Sequence, residues 1–127
     1  MIIDSHCHLN YEPMSLSLKE TIDRANNDGV KYLLTISTED KSYEKILNII
    51  SQNKCVYGSY GIHPHEAKNH NEFTSKLIIE KISLNKKIIG IGETGLDFYY
   101  NHSDKNVQRK LFVEHILASK ELDLPLI

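Results

Sequence analysis

Short apolar runs alternate along the chain with longer segments in which apolar residues recur every three or four positions. The short runs lie at 1–4, 30–37, 56–62, 87–93 and 124–127, and their β-branched and aromatic residues are typical of buried strands. The longer segments, at about 17–29, 40–52, 73–84 and 104–122, have the period of amphipathic helices. This alternation predicts a parallel sheet whose strands are joined by right-handed crossover helices.

The first helical segment also carries recognisable capping residues. Ser17 followed by Glu20 predicts a capping box at its start. Gly29 lies where a glycine C-terminal cap is expected.

Two architectures fit five strands and four helices in this order. An open, five-stranded doubly wound sheet is complete at about this length, whereas a (β/α)₈ barrel needs about 250 residues. The length of 127 residues therefore favours the open sheet. In both architectures ligands bind at the carboxyl ends of the strands.

Composition and charge exclude several classes of protein. With 40% hydrophobic and 25% charged residues the chain is typical of a soluble globular protein, and its net charge of −2 lacks the basicity of proteins that hold nucleic acid by charge alone. Cys7 and Cys55 match no zinc or redox spacing, which favours the reducing cytosol. No targeting signal is recognisable at the N-terminus and no run approaches the roughly 18 apolar residues of a membrane span, so we expect no membrane attachment.

The first strand ends in DSHCH, which contains a candidate metal site. Side chains two positions apart on a strand share a face, so His6 and His8 can hold one divalent metal. Asp4 is on the same face and is a candidate for a further oxygen ligand or for a residue that orients the histidines. The alternative is a pair of surface or hydrogen-bonded histidines, because two ligands alone leave a metal site incomplete.

The fourth strand ends in GIGETGLDFYY. Alternation from Ile89 and Ile91 predicts that Glu93 lies at the carboxyl end of this strand. A glutamate at a turn is commonly a capping or ion-paired residue, and that interpretation stays open. Its position beside His6 and His8 at strand ends favours a shared site.

The third strand ends in GIHPHEA, a second His-x-His pattern. Pro64 favours an extended conformation for His63 and ends the strand, so His63 and His65 are expected in the following loop. We expect His63 and His65 to contact substrate rather than to bind metal, since the proline interrupts strand alternation. An ordinary turn without function is the alternative.

Further polar and aromatic residues follow Glu93. Asp97 is a candidate for orienting a ligand or a metal-bound water. Tyr99 and Tyr100 are expected either to stack on bases or simply to cover the rim of the fold. Three other histidines are interpreted as packing or solvent-exposed residues: His70, His102 and His115.

The three segments DSHCHL, GIHPHEA and GETGLDFYY together resemble the TatD family of metal-dependent hydrolases and deoxyribonucleases. The resemblance covers the whole chain and implies a TIM barrel with two divalent metal ions, magnesium or zinc in most descriptions and manganese as a further candidate. It implies hydrolysis of phosphodiesters in DNA by a metal-activated water, in some members as a 3′-5′ exonuclease. By the same resemblance His6 and His8 hold one metal, and Glu93 is catalytic and bridges to the second.

The end of the sequence departs from the family pattern. The final ELDLPLI resembles the segment that leads into the fifth strand, and the family's later histidine and aspartate ligands have no counterpart here. We therefore expect residues 1–127 to form the N-terminal half of the barrel, with the first five strands and four helices, and to be inactive alone. The alternatives are one half of a two-chain barrel completed by a separate C-terminal half, and a non-catalytic metal-binding α/β protein. No other protein partner is expected.

Overall fold

The fold is an alternation of parallel strands and helices in a computed structural model that describes residues 1–127. The strands are β1 (Ile2–Cys7), β2 (Val30–Thr35), β3 (Val56–Tyr60) and β4 (Ile88–Ile91). The α-helices are α1 (Leu18–Asn27), α2 (Asp40–Gln52), α3 (Ser75–Ser83) and α4 (Lys105–Leu122). Two 3-10 helices, Met14–Ser17 and Pro64–Asn69, lie in the connections after β1 and β3.

The strand order distinguishes the two predicted architectures. The order is β1-β2-β3-β4, and every neighbouring pair is parallel. A doubly wound sheet reverses its strand order at a switch point, whereas consecutive strands of a (β/α)₈ barrel follow one another without reversal. The open doubly wound sheet is therefore wrong, and the observed sheet is part of a barrel that is not closed.

The predicted fifth strand at 124–127 is only a short extension of the sheet. A single isolated bridge joins Leu126 to Ile91. The amide of Ile91 donates to the carbonyl of Pro125 and the amide of Ile127 donates to the carbonyl of Ile91, both at 2.9 Å. The expectation of five strands is thus corrected to four strands and one attached segment.

All four helices pack on the same face of the sheet. One cluster of buried apolar side chains contains Ile22 of α1, Ile46 of α2, Ile78 of α3 and Ala118 of α4, together with residues of β2, β3 and β4. Other apolar side chains of the strands stay exposed, among them those at positions 3, 32 and 89. The helix-covered face is therefore the core, and the opposite face leaves apolar surface in contact with solvent.

The capping residues predicted for α1 are confirmed only at its end. Ser17 makes no side-chain cap hydrogen bond, because the preceding 3-10 helix holds it at ψ 43° rather than in the extended conformation of most N-caps. The predicted capping box is therefore wrong, while Gly29 has the expected positive φ of 93°. None of the helices is both long and apolar enough to cross a membrane. The expected cytosolic location stays a prediction.

A register shift between β3 and β4 changes which residues of β4 are covered. Gly58 pairs with Ile88, but the next residue, Ser59, pairs with Gly90. Ile91 is consequently fully buried while Ile89 is 39% exposed, so the two isoleucines differ in burial although simple alternation predicts the same face for both. The strand ends at Ile91, and Glu93 lies in the loop beyond it.

The ends of β3 and β4 approach so closely that only glycine fits. A Cβ atom on Gly61 would lie 2.5 to 2.8 Å from three backbone atoms of Gly92. Gly92 itself has φ 154°, and a Cβ atom there would collide with the carbonyl of Ile127. The two loops that carry His63 and Glu93 therefore begin side by side.

A buried histidine of α4 holds the end of β3 from the helix side. His115 is fully buried, its Nε2 accepts a hydrogen bond from the amide of Ile62 at 3.0 Å, and its Nδ1 lies 2.8 Å from the carbonyl of Leu111. Only the neutral imidazole can accept at Nε2 while it donates at Nδ1. Burial lowers the pKa of His115 below its ordinary value. The prediction that His115 is a packing residue is confirmed.

We expect Gly61→Ala to destabilise the fold by about 1–3 kcal/mol, because its new methyl group would displace backbone. Gly58→Ala is the comparison in which the new methyl group would meet side chains rather than backbone, Ile88 Cδ1 at 2.8 Å and Ile46 Cγ2 at 2.9 Å. Urea unfolding of both variants measures the difference. A Gly61→Ala variant as stable as the wild type would refute the close approach.

We expect the free energy of unfolding to fall as the pH drops below the ordinary His115 pKa of 6.5. The folded-state pKa is lowered, so below 6.5 the unfolded chain binds the proton first and the folded state loses stability. His115→Gln can accept from Ile62 and donate to Leu111 without titrating, and should show a shallower pH dependence. Urea unfolding between about pH 5 and about pH 8 tests this. Equal slopes for the two proteins would contradict it.

Candidate metal centre

Three side chains converge at the carboxyl end of the sheet. His6 Nε2 lies 3.4 Å from Glu93 Oε2, and His8 Nε2 lies 3.6 Å from the same oxygen. The possible ligand atoms of the three residues all lie within 4.8 Å of one another. Imidazole nitrogens with a carboxylate oxygen form a donor set that suits zinc and related divalent ions. The residues present therefore fit a divalent metal.

The ring of His8 is oriented as expected for a metal ligand. Its Nδ1 lies 3.2 Å from the carbonyl of Ile36, which directly follows Thr35, the last residue of β2. A carbonyl can only accept, so the proton is assigned to Nδ1 and the lone pair of Nε2 faces Glu93. Such a carbonyl partner is the usual means by which proteins fix the tautomer of a metal-binding histidine.

Asp4 lies outside this cluster. Its Oδ1 accepts a hydrogen bond from the backbone amide of His6 at 3.1 Å. The group of residues with metal-ligand spacing contains His6, His8 and Glu93 and does not include Asp4. Asp4 thus stabilises the backbone of the His-x-His segment.

Two buried serines tie the ends of β2, β3 and β4 together beneath the cluster. Ser59 Oγ donates to the carbonyl of Gly92 at 2.6 Å and accepts from the amide of Ser37 at 3.3 Å. Ser37 Oγ donates to the carbonyl of Gly61 at 3.3 Å, and the carbonyl of Ser37 accepts from the amide of Glu93 at 2.6 Å. Glu93 therefore has a defined position although it follows β4 rather than belonging to it.

His63 reaches the metal-ligand cluster from the third strand. Its Nε2 lies 3.6 Å from Glu93 Oε1, and its Nδ1 accepts from the amide of His65 at 3.1 Å. Because Nδ1 accepts, the proton of the neutral ring is on Nε2. Partial burial lowers the pKa of His63, although the Glu93 carboxylate acts in the opposite direction. His63 thus presents a hydrogen-bond donor next to the cluster.

His65 pairs with Asp97 rather than with Glu93. His65 Nε2 lies 2.6 Å from Asp97 Oδ2, and Asp97 Oδ1 accepts from the amides of Tyr99 and Tyr100 at 3.0 and 3.3 Å. The hydrogen bond with His65 is the main cause of a lowered pKa for Asp97, and the two amides lower it further. The carboxylate is therefore held as an anion that fixes the orientation of His65.

A polar pocket of about 300 Å³ lies beside the cluster. Its walls are formed by the segments that follow β1, β2, β3 and β4. The lining residues are His8, Tyr11, Thr38, Glu39, His63, His65, Glu66 and Glu93. Tyr11 and Thr38, which the sequence analysis missed, are hydrogen-bonded to each other through their hydroxyl groups. A larger groove of about 450 Å³ between α2 and α3 is lined by no histidine or cysteine.

His102 is exposed in the loop before α4, and its ring contacts two other rings near the cluster. Its ring centroid lies 4.4 Å from that of His65, and it stacks on Tyr100 with centroids 5.9 Å apart. The interpretation of His102 as a solvent-exposed histidine is confirmed, while its contact with His65 was not predicted. Only the folded path of the loop between β4 and α4 brings His102 to His65, and no local motif indicates that meeting.

The comparison with protein sequences identifies the family. A sequence model of the TatD-related DNase family matches residues 3–127. A metal-dependent hydrolase of Buchnera aphidicola subsp. Baizongia pistaciae is 40% identical over 99% of this chain and 48% of its own length. The metal-dependent hydrolase YabD of Bacillus subtilis is 31% identical over 100% of this chain and 49% of its own length. The chain spans about half the length of the curated relatives it matches.

The comparison with solved structures agrees with the partial barrel. The crystal structure of YjjV, a TatD homologue from Escherichia coli, matches 98% of this chain and 49% of its own, with a TM-score of 0.90 and 25% identity. A TatD-family hydrolase of Entamoeba histolytica has the same fold, with a TM-score of 0.79 and 22% identity. The predicted family resemblance is confirmed, and the chain belongs to the TatD family of metal-dependent hydrolases.

Proposed function

We propose that this chain supplies part of the active site of a metal-dependent phosphodiesterase that acts on DNA. The observation that carries the proposal is the convergence of His6, His8 and Glu93 at the carboxyl end of the parallel sheet. Active sites of (β/α)₈ enzymes occupy this end. The family description as TatD-related DNase supports a DNA substrate. Because the matched relatives are about twice as long, the activity is proposed for an assembly that includes the remaining strands.

The ligand set proposed for the metal is His6, His8 and Glu93. Glu93 directs Oε2 at His6 and His8 and Oε1 at His63, so its two oxygens face different sides of the site. Glu93 would hold an ion together with His6 and His8, and magnesium, zinc and manganese are the candidates. A divalent ion supplies an activated water and a positive charge for the phosphate oxygens when it is bound.

The proposed phosphate contacts come from His63 and His65. The Nε2 proton of His63 lies at the wall of the pocket, next to Glu93. Asp97 holds His65 in the same wall by the 2.6 Å contact between their side chains. A donor fixed in advance, such as the Nε2–H of His63, stabilises the charge that develops on phosphate oxygens during hydrolysis. The Nε2–H of His65 is directed at Asp97, so His65 can donate to a phosphate only through the Nδ1–H of its imidazolium form. Asp97 is therefore proposed as a positioning residue for His65.

We expect the chain to bind a divalent metal weakly, since three protein ligands are fewer than the four of a closed structural zinc site. Calorimetric titration with zinc and manganese should show binding that the His6→Ala/His8→Ala double variant loses. His70→Ala is the matched control, because His70 lies outside the cluster and contacts the carbonyl of Glu66. Equal binding by the wild type and the double variant would refute the ligand assignment.

We expect negligible cleavage of a 3′-labelled oligonucleotide by the chain alone with magnesium or manganese. Adding a separately made polypeptide that carries the remaining barrel strands of a longer relative should produce cleavage. Glu93→Gln should lower that rate by roughly 100-fold or more, because a lost metal contact removes several kcal/mol of transition-state stabilisation.

Two outcomes of this assay contradict the proposal. Cleavage that Glu93→Gln leaves unchanged would show that the proposed centre is not used. Metal binding with no cleavage in any mixture would favour the non-catalytic metal-binding protein.

A further inference from the structure

The largest cavity of the chain is a groove on the helix side of the sheet. It has a volume of about 450 Å³, and its walls are formed by α2 and by the end of α3. It shares no lining residue with the polar pocket beside His8 and Glu93. We call this cavity the α2–α3 groove, and a ligand bound in it would leave the candidate metal centre open.

Hydrogen bonds between α2 and α3 join the two walls of the α2–α3 groove. Asp40, the first residue of α2, accepts from Tyr60 Oη at 2.6 Å and from Lys81 Nζ at 2.5 Å. Tyr43 Oη donates to the carbonyl of Lys81 at 3.2 Å. The rings of Tyr43 and Tyr60 are buried. The groove is therefore formed before a ligand arrives, which lowers the entropy cost of binding.

Each wall of the α2–α3 groove carries a carboxylate and a leucine one helical turn apart. Glu44 and Leu47 of α2 are three positions apart, and Glu80 and Leu84 at the end of α3 are four apart. Residues at these spacings lie on the same side of a helix. Leu84 is 88% exposed and Leu47 is half-buried. The groove therefore offers apolar contact next to charge on both sides.

The free charge of the α2–α3 groove is negative. Lys81, the lining cation, forms an ion pair with Asp40. The carboxylates of Glu44 and Glu80 take part in no ion pair. Lys87 lies beyond the end of α3 and donates to two carbonyls at the end of α2. A partner with positive charge is consequently the complementary one.

The exposure of the α2–α3 groove favours a segment of a protein over a small molecule. Small-molecule sites commonly enclose about 70–90% of the ligand surface. A wall residue as exposed as Leu84 cannot enclose a ligand in this way. Amphipathic helices, by contrast, bind open grooves through apolar side chains that recur every three or four positions.

From these observations we propose that the α2–α3 groove binds a basic amphipathic helix of a partner protein. Apolar side chains of that helix lie between Leu47 and Leu84, and its lysine or arginine side chains face Glu44 and Glu80. The inference does not depend on the proposed hydrolysis, because the groove and the metal centre have no residue in common. It assigns a second binding surface to the side of the sheet opposite the open one.

The test measures binding of a labelled synthetic peptide by fluorescence anisotropy. The peptide has about 14 residues, with leucine on one helical face and lysine on the other. We expect Leu84→Ala and the Glu44→Gln/Glu80→Gln double variant each to weaken binding of this peptide about tenfold. A second peptide, in which glutamate replaces every lysine, should bind at least about tenfold more weakly than the first.

Matched variants outside the groove control for general effects of an exposed leucine or carboxylate. Leu16→Ala removes a leucine that is 75% exposed before α1, and Glu121→Gln removes an exposed carboxylate of α4. Both should bind the basic peptide within about twofold of the wild type. Glu93→Gln should also bind it like the wild type, which separates this inference from the proposed metal chemistry. Circular dichroism verifies that each variant is folded.

Several outcomes overturn the inference. They are no binding of the basic peptide by the wild type, wild-type affinity in either groove variant, an equal loss in the control variants, and equal binding of the acidic peptide. Binding of hexylamine without binding of the peptide would instead assign the groove to a small organic cation.

Discussion

Two buried hydroxyl groups, those of Ser37 and Ser59, hold the strand ends on which the candidate site depends. Through them the end of β2 is joined to the ends of β3 and β4, and the amide of Glu93 is fixed to the carbonyl of Ser37. Both serines are fully buried, so the loss of either hydroxyl would leave a carbonyl without a partner at a cost of about 1–3 kcal/mol. Glu93, the proposed catalytic residue, therefore lies in a loop but has a position as well defined as that of a strand residue.

Local patterns predicted much of the helical framework. Helix α2 has the predicted bounds, Asp40–Gln52, and α4 begins at Lys105 after the N-cap Asp104 and ends at Leu122. Apolar periodicity and end residues lie within one segment, so no distant contact is needed to interpret them. The position of His6 and His8 beside Glu93 was predictable for a related reason, because parallel strands bring their carboxyl ends to one edge.

Apart from the capping box at Ser17, the features that escaped prediction depend on contacts distant in sequence. The register shift opposite Ser59 places Ile91 in the core and leaves Ile89 exposed, and nothing in the sequence of β4 alone specifies the pairing. His102 lies against His65 where the neighbouring Ser103 donates to the carbonyl of His65 at 2.9 Å. The chain length likewise favoured the open doubly wound sheet, which is wrong, because length carries no information on strand order.

In the β4–α4 loop, the residues that fix the backbone differ from the residues whose side chains are exposed. Gln108 and Asp97 hold the loop through backbone groups, so the side chains at positions 98, 99 and 100 contribute little to its shape. Substitutions at these positions can accumulate without loss of the fold and without displacement of Glu93. Within this architecture, the exposed rings can be exchanged while the positions of His6, His8 and Glu93 stay constant.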